Sequence, residues 1–403
     1  MRIFIRKSMY TRSHYGIVMD RLSEPRRFIQ VLAGPRQVGK STLIGQVISK
    51  LTVPYSLAVA DDIPVSDTHW IADVWEMVRN KMTYHRESEH LLVIDEIQKI
   101  ANWSETVKKE WDRDTREGNN IKVVLLGSSR LLLMKGLSES LAGRFELIRM
   151  EHWDYAEMRD AFGLTIDQYI YYGGYPGSAA MIKDEHRWRE YIKNSLVDST
   201  ITKDVLMTSV VYKPALLRQL FELGCSYSGE LLSLNKMLGQ LQDAGNVTTL
   251  AGYLNLLDEC NLLKGIKKYA NDSSRKYASI PKYQVYNNAL RSIYAGKSFE
   301  TARIDPRLWG RWVESAVGAY LVNHADQVGF KVYYWRNNAD EVDFVIERYG
   351  EIVAIEVKSG INSYSKGLSL FRNQFHVKKS IIVGTNGISV EEFLQSDLDR
   401  LIG

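Results

Sequence analysis

Residues 34–41 read Gly34-Pro35-Arg36-Gln37-Val38-Gly39-Lys40-Ser41, with Thr42 following. The pattern G-x-x-x-x-G-K-[ST] turns successive backbone N–H groups toward one point, which suits the phosphates of a nucleotide. Gly34 and Gly39 are expected to let the chain turn tightly and approach a ligand without a Cβ in the way. Lys40 would bring a point charge to the β- and γ-phosphates, and Ser41 a hydroxyl to Mg²⁺. The flanks agree. Phe28–Ala33 is an apolar run that predicts a buried strand entering the loop. Ser41–Ile48 predicts a helix whose N-terminus faces the phosphates. Residues 34–42 are therefore the expected ATP contacts.

A phosphate loop needs a second strand that carries an acid to the metal. His90-Leu91-Leu92-Val93-Ile94-Asp95-Glu96 runs from apolar residues straight into two carboxylates, as at the ligand edge of a parallel sheet. Asp95 would hold Mg²⁺ and Glu96 would polarise the attacking water. A third strand, Lys122–Gly127, leads into Ser128, placed to sense the γ-phosphate, although a plain Gly-Ser turn would read the same way. Arg144, at the end of Ser138-Glu139-Ser140-Leu141-Ala142-Gly143-Arg144, could neutralise charge during phosphoryl transfer in its own subunit or a neighbour's. A solvated surface arginine is the plainer alternative.

The segments GPRQVGKST, LLVIDEIQK, LLGSSR, SLAGR and YYGGYPG together resemble the archaeal and bacterial AAA-type ATPases that carry a C-terminal domain long labelled as of unknown function. The resemblance runs in order over most of the chain. It implies the phosphate and magnesium roles for Lys40 and Ser41, the metal and water roles for Asp95 and Glu96, and a finger or sensor role for Arg144. Members of that group commonly have an acid where this chain has Asn287 or Asn288.

The 403 residues suggest two or three domains, and 45% hydrophobic with 25% charged residues is ordinary for a globular chain. The net charge of +4 is too mild to name a partner. Cys225 and Cys260 lack metal-ligand spacing, which fits a reducing cytoplasm. No apolar run reaches the ~18 residues of a membrane span, so no membrane partner is expected. The turn cluster Gly173-Gly174-Tyr175-Pro176-Gly177 should end the ATPase core.

Residues 178–223 read as helical. Two short amphipathic helices follow Gly224, and then two strands, Leu262–Tyr269 and Lys282–Tyr286, around a polar loop. Helix, turn, helix and two-stranded wing predict a winged-helix domain, and the resemblance points the same way. Between 260 and 311 eleven Lys or Arg stand against three acids, a local balance of +8, with Tyr269, Tyr277, Tyr283 and Tyr286 interleaved. Lys264, Lys267, Lys268, Arg275, Lys276 and Lys282 are thus expected to contact DNA phosphates. An ordinary basic face or a protein-docking domain is the other reading.

A second set of chemical residues lies further on. Glu314 sits in the first turns of a helix opening at Trp309, Asp343 lies on a strand, and Glu351–Lys358 is its hairpin partner. Period-two alternation puts Ala354, Glu356 and Lys358 on one face. Asp343 and Glu356 could bind Mg²⁺ and Lys358 could orient a water. Glu314, Asp343, Glu356 and Lys358 look like the PD-(D/E)xK nuclease motif, with Val342 where proline is common and Gln374 as a weaker auxiliary residue. The expected architecture is multidomain α/β. It comprises a P-loop AAA-type parallel-sheet ATPase core (1–177), a helical and winged-helix middle (178–300) and a restriction-endonuclease-like domain (301–403). The leading expectation is an ATP-regulated, Mg²⁺-dependent enzyme acting on DNA. The alternative is an ATP-dependent DNA- or protein-binding switch with an inactive nuclease-like domain. Self-association through Arg144 is a further possibility.

Overall fold

The computed structural model describes residues 10–128, 133, 136–137, 140–206, 211–241, 245–271, 279–358 and 366–403. Two compact units divide between Glu151 and His152.

The first unit is built on five strands: β1 (Ile29–Ala33), β2 (Tyr55–Val59), β3 (His90–Asp95), β4 (Ile121–Gly127) and β5 (Phe145–Arg149). They form one sheet in the order β2-β3-β4-β1-β5, every neighbour parallel. β1 is buried along its whole length and β4 almost so, because helices cover both faces and water reaches neither. Four helices are α1 (His14–Ser23), α2 (Lys40–Ile48), α3 (Trp70–His85) and α4 (Trp103–Glu117). α3 buries Ile71, Val74, Trp75 and Val78, spaced three and four apart on its inner stripe. All strands point the same way, so residues that follow β1, β3 and β4 lie along one edge, and residues that precede a strand lie along the opposite edge.

The second unit combines helices with a six-stranded sheet, ordered β11-β10-β9-β8-β6-β7. Its strands are β6 (Leu263–Lys268), β7 (Lys282–Val285), β8 (Lys331–Asn337), β9 (Asp340–Arg348), β10 (Glu351–Lys358) and β11 (Lys379–Gly384). The helices Leu234–Leu238 and Val247–Glu259 precede the β6–β7 hairpin, as expected for a winged helix. The hairpin is not a free wing, however. β6 runs parallel to β8 at Lys267↔Tyr333 and Lys268↔Tyr334, so it joins the C-terminal sheet. The turn cluster at Gly173–Gly177, expected to close the first domain, belongs to this unit as well. The Gly174 N–H donates to Asn287 Oδ1 at 3.1 Å, and a Cβ on Gly173 would fall 1.9 Å from the same oxygen.

The long helix Pro306–Val328 begins with Asp305 as its cap. Glu314 consequently sits in its third turn, later than expected. The helix lies close against β7: a Cβ on Gly318 would come within 2.0 Å of Gln284 Oε1. Gln284 Nε2 donates to the Ser315 carbonyl at 2.8 Å. Cys225 and Cys260 are both buried and form no disulfide with each other. Among the described residues no helix is long and apolar enough to cross a membrane.

Candidate functional site

The loop between β1 and α2 has the backbone that its sequence predicts, for two separate reasons. Gly39 has φ 95° and caps α2, a left-handed conformation that strains any residue with a Cβ. Gly34 is needed for another cause: a Cβ there would sit 2.1 Å from the Met150 carbonyl oxygen. The neighbouring chain after β5, more than a ligand, excludes a side chain at 34. Gln37 also takes a positive φ of 60°. Lys40 is almost fully buried, its ammonium donating to the carbonyls of Gly34 at 2.9 Å and Pro35 at 2.8 Å. That holds the charge across the mouth of the loop.

β3 and β4 end beside this loop. The Ser41 hydroxyl donates to Asp95 Oδ2 at 2.7 Å. Burial pushes the Asp95 carboxyl up, the Ser41 hydroxyl pulls it back, and Glu96 pushes it up again, for a net upward shift. Glu96 has a left-handed backbone, φ 54°, that turns its side chain across the strand ends. Its Oε2 accepts from the Ser128 hydroxyl at 2.9 Å and from Gln98 Nε2 at 2.5 Å. Ser128 therefore meets the proposed water-activating acid, and Gln98 is a site residue that the strand-by-strand reading passed over. Its signal was present: Gln98 lies two residues beyond Glu96, in the quoted segment LLVIDEIQK. Arg12 was also missed. It is 5% exposed and donates to the carbonyls of Glu151 at 3.0 Å and Val38 at 3.4 Å, tying the start of the chain to the phosphate loop. No local pattern around Arg12 announces this.

Arg144 stands elsewhere. It immediately precedes β5, and its carbonyl accepts from the Ile29 N–H at the start of β1. The phosphate loop leaves the other end of β1, four residues on, roughly 13 Å away at strand rise. Its guanidinium is engaged by both oxygens of Asp112, at 2.8 and 3.0 Å. A role for Arg144 in the phosphate site of its own chain is thereby excluded.

The second set of residues lies in the second unit. β9 and β10 pair with Phe344 opposite Ile355, so the next pair in register is Asp343 with Glu356, on one face as expected. Asp343 Oδ2 accepts the Val357 N–H at 2.7 Å. Glu356 Oε1 accepts from Lys358 Nζ at 2.5 Å. Burial pulls Lys358 down, but its bond to Glu356 and the field of Asp343 outweigh this and hold its pKa above the ordinary value. Gln374 does not join them. It is exposed at the end of the helix Lys366–Gln374 and lines a groove with Gly350 and Glu351, at the opposite end of β10.

Lys282 does join them, which corrects its expected DNA role. It is 5% exposed, and its ammonium lies 2.6 Å from Glu314 Oε1, 3.1 Å from the Asp343 carbonyl oxygen and 4.0 Å from Asp343 Oδ1. Burial pulls Lys282 down, yet Glu314 and Asp343 more than offset it, so its pKa is raised. Glu314 is pushed up, first by burial and then by Asp343, with Lys282 acting the other way. Asp343 and Glu356 are at most 6% exposed. Among the described residues no group of three or more His, Cys, Asp or Glu side chains is arranged to hold a metal ion. Asp343 Oδ2 is taken by a backbone N–H, Glu356 Oε1 by the Lys358 ammonium, and the Lys282 ammonium stands 4.0 Å from Asp343 Oδ1, so positive charge already occupies the surroundings of this carboxylate pair and disfavours a divalent ion there.

The basic surface shrinks accordingly. Lys264 is bound by both oxygens of Asp258 at 3.0 and 2.9 Å, and Tyr269, Tyr283 and Tyr286 are buried. Arg291 is buried too, and desolvation lowers it to about 10. Lys267 is exposed and Lys268 half-buried. Arg275 and Lys276 lie outside the described residues.

Comparison with known proteins agrees with the first unit. Residues 26–159 match a family model described as an AAA domain. Residues 164–301 and 309–393 match two models each described as a domain of unknown function. An uncharacterized protein of Haemophilus influenzae is 24% identical over 398 residues, covering 94% of both chains. An uncharacterized protein of Mycobacterium tuberculosis is 26% identical over 337 residues, covering 82% of this chain and 70% of that one. Among solved structures, a Walker-type ATPase of Pyrococcus abyssi shares 13% identity at a TM-score of 0.45, covering 72% of this chain and 99% of that chain. The family match over residues 26–159 and the parallel sheet give the first unit a P-loop, AAA-type ATPase-like α/β fold. Nuclease and winged-helix assignments have no such match.

Proposed function

We propose that the chain is an ATP-hydrolysing switch whose second unit grips DNA or a protein and carries a nuclease-like pocket that does not cut. The observation that carries the first part is the convergence of Lys40, Ser41, Asp95, Glu96 and Ser128 at one sheet edge. Lys40 neutralises phosphate charge. Ser41 and Asp95, already in contact, would hold Mg²⁺, which when bound screens the phosphates. Glu96 accepts the proton of the attacking water, while Ser128 and Gln98 fix its orientation. The backbone N–H groups of residues 36–42 bind the phosphate oxygens. Arg144, half-buried against Asp112, is left with a role toward a neighbouring chain in a self-associated form.

Titration of ATP into the wild type and Lys40→Ala tests this directly. The variant should lose at least tenfold in affinity; unchanged binding would remove the nucleotide reading. For the second unit, Lys267→Glu with Lys268→Glu and Arg275→Glu should weaken DNA binding and flatten its salt dependence. Unaltered affinity would point to a protein partner.

The cutting alternative is favoured by one observation, the register that sets Asp343 and Glu356 side by side with Lys358. If the wild type cleaves branched, single- or double-stranded DNA with ATP and Mg²⁺ or Mn²⁺, and Glu356→Ala with Lys358→Ala stops it, that alternative replaces the non-cutting reading.

A further inference from the structure

Glu314, Asp343 and Glu356 come from three different elements, the long helix, β9 and β10, into one part of the second unit. Buried carboxylates without a counter-charge are costly, so a fold that gathers them must supply positive charge. Two lysines supply it. Lys358 takes Glu356. Lys282 arrives from β7, the far strand of the hairpin that docks on β8, and touches the other two residues. Its surroundings suit an ammonium: a carboxylate oxygen at 2.6 Å, a carbonyl oxygen at 3.1 Å, and the Phe344 ring 4.6 Å below. The stem is enclosed, with Leu231 bridged to Lys282 along the backbone.

We propose that the Lys282 ammonium is the resident cation of this carboxylate pocket, built into the chain at the place where a divalent ion would otherwise sit. The pocket then keeps its shape without metal, and a divalent ion is excluded by like charge. Lys282 is a positioning residue: it holds Glu314 against β9 and joins the hairpin to the long helix. The inference deepens the non-cutting reading of the second unit, but its readout needs neither ATP turnover nor DNA. Its failure would leave the nucleotide reading untouched, and the converse holds.

The test is Mn²⁺ titration of the full chain without nucleotide, following free Mn²⁺ by electron paramagnetic resonance. Wild type and Asp343→Asn should bind Mn²⁺ alike, because the pocket takes none. Lys282→Met keeps the stem and removes the charge. It should gain a site at least tenfold tighter than anything in the wild type, and adding Asp343→Asn should abolish that gain. A wild-type Mn²⁺ site lost in Asp343→Asn overturns the proposal, as does a folded Lys282→Met that gains nothing. Should Lys282→Met not fold, hydrogen exchange on the wild type decides. The Phe344 and Val357 amides should exchange equally in excess EDTA and in millimolar Mn²⁺, and Mn²⁺-dependent protection confined to them overturns it.

Discussion

Two glycines in one loop are required for different reasons, and their alanine variants should differ. Gly39→Ala strains a φ of 95° in otherwise open space, which costs about 1–2 kcal/mol. Gly34→Ala drives a methyl into the Met150 carbonyl and must shift the end of β5, at about 1–3 kcal/mol. Urea unfolding measures both, and Gly34→Ala should be the more damaging to nucleotide affinity, because the loop itself has to move. Asn288 offers a parallel case in the second unit. Its Nδ2 donates to the Ile170 and Trp312 carbonyls at 2.7 and 3.0 Å, while Oδ1 accepts from Ser315. An acid cannot make those two donations. Asn288→Asp should therefore destabilise the chain by about 1–3 kcal/mol or more, again by urea unfolding. Asn288 thus belongs to a hydrogen-bond network that only an amide completes here.

α3 and α4 are joined by a buried charge cluster that acts as a unit. Arg79 donates to Asp114 at 2.8 Å and Glu110 at 2.7 Å, and the Trp75 indole donates to Asp114 at 2.7 Å. Asp114→Ala would leave Arg79 short of a partner and should cost about 3–5 kcal/mol in urea unfolding. A loss under 1 kcal/mol would mean that the cluster contributes little. Three of the five strands of the first unit, β1, β3 and β4, were legible in the sequence because they are mostly apolar runs that lead into a motif, while β2 and β5 carry no such mark. Arg144 was placed less well, because a local motif does not say which end of a sheet it occupies. The rule that could have found it is simple: in a parallel sheet, a residue just before a strand lies opposite those just after one. Lys282 was misread for another reason. A count of charge along the chain cannot see burial, and Lys282 turns inward only because β6–β7 joins β8 and the long helix closes over it.

The whole chain divides into a unit whose chemistry is written in short contiguous motifs and a unit whose residues meet only through topology. That explains why the residues of the first loop and strand ends could be brought together from their motifs. In the second unit period-two alternation and the hairpin brought together Asp343, Glu356 and Lys358, while Gln374 was wrongly added and Lys282 left out. The functional reading rests on the first unit. There Glu96 is the acid that should activate water, held by Ser128 and Gln98, while Lys40 and Ser41 serve binding. Single-turnover conversion of ATP to ADP by the wild type and Glu96→Gln, with ATP affinity measured alongside, separates these tasks. The wild type should hydrolyse ATP, and Glu96→Gln should bind ATP nearly as well but turn it over about 10²–10⁴-fold more slowly. Equal turnover by the two proteins, or none by the wild type under any divalent ion, would contradict ATP hydrolysis at this edge of the sheet.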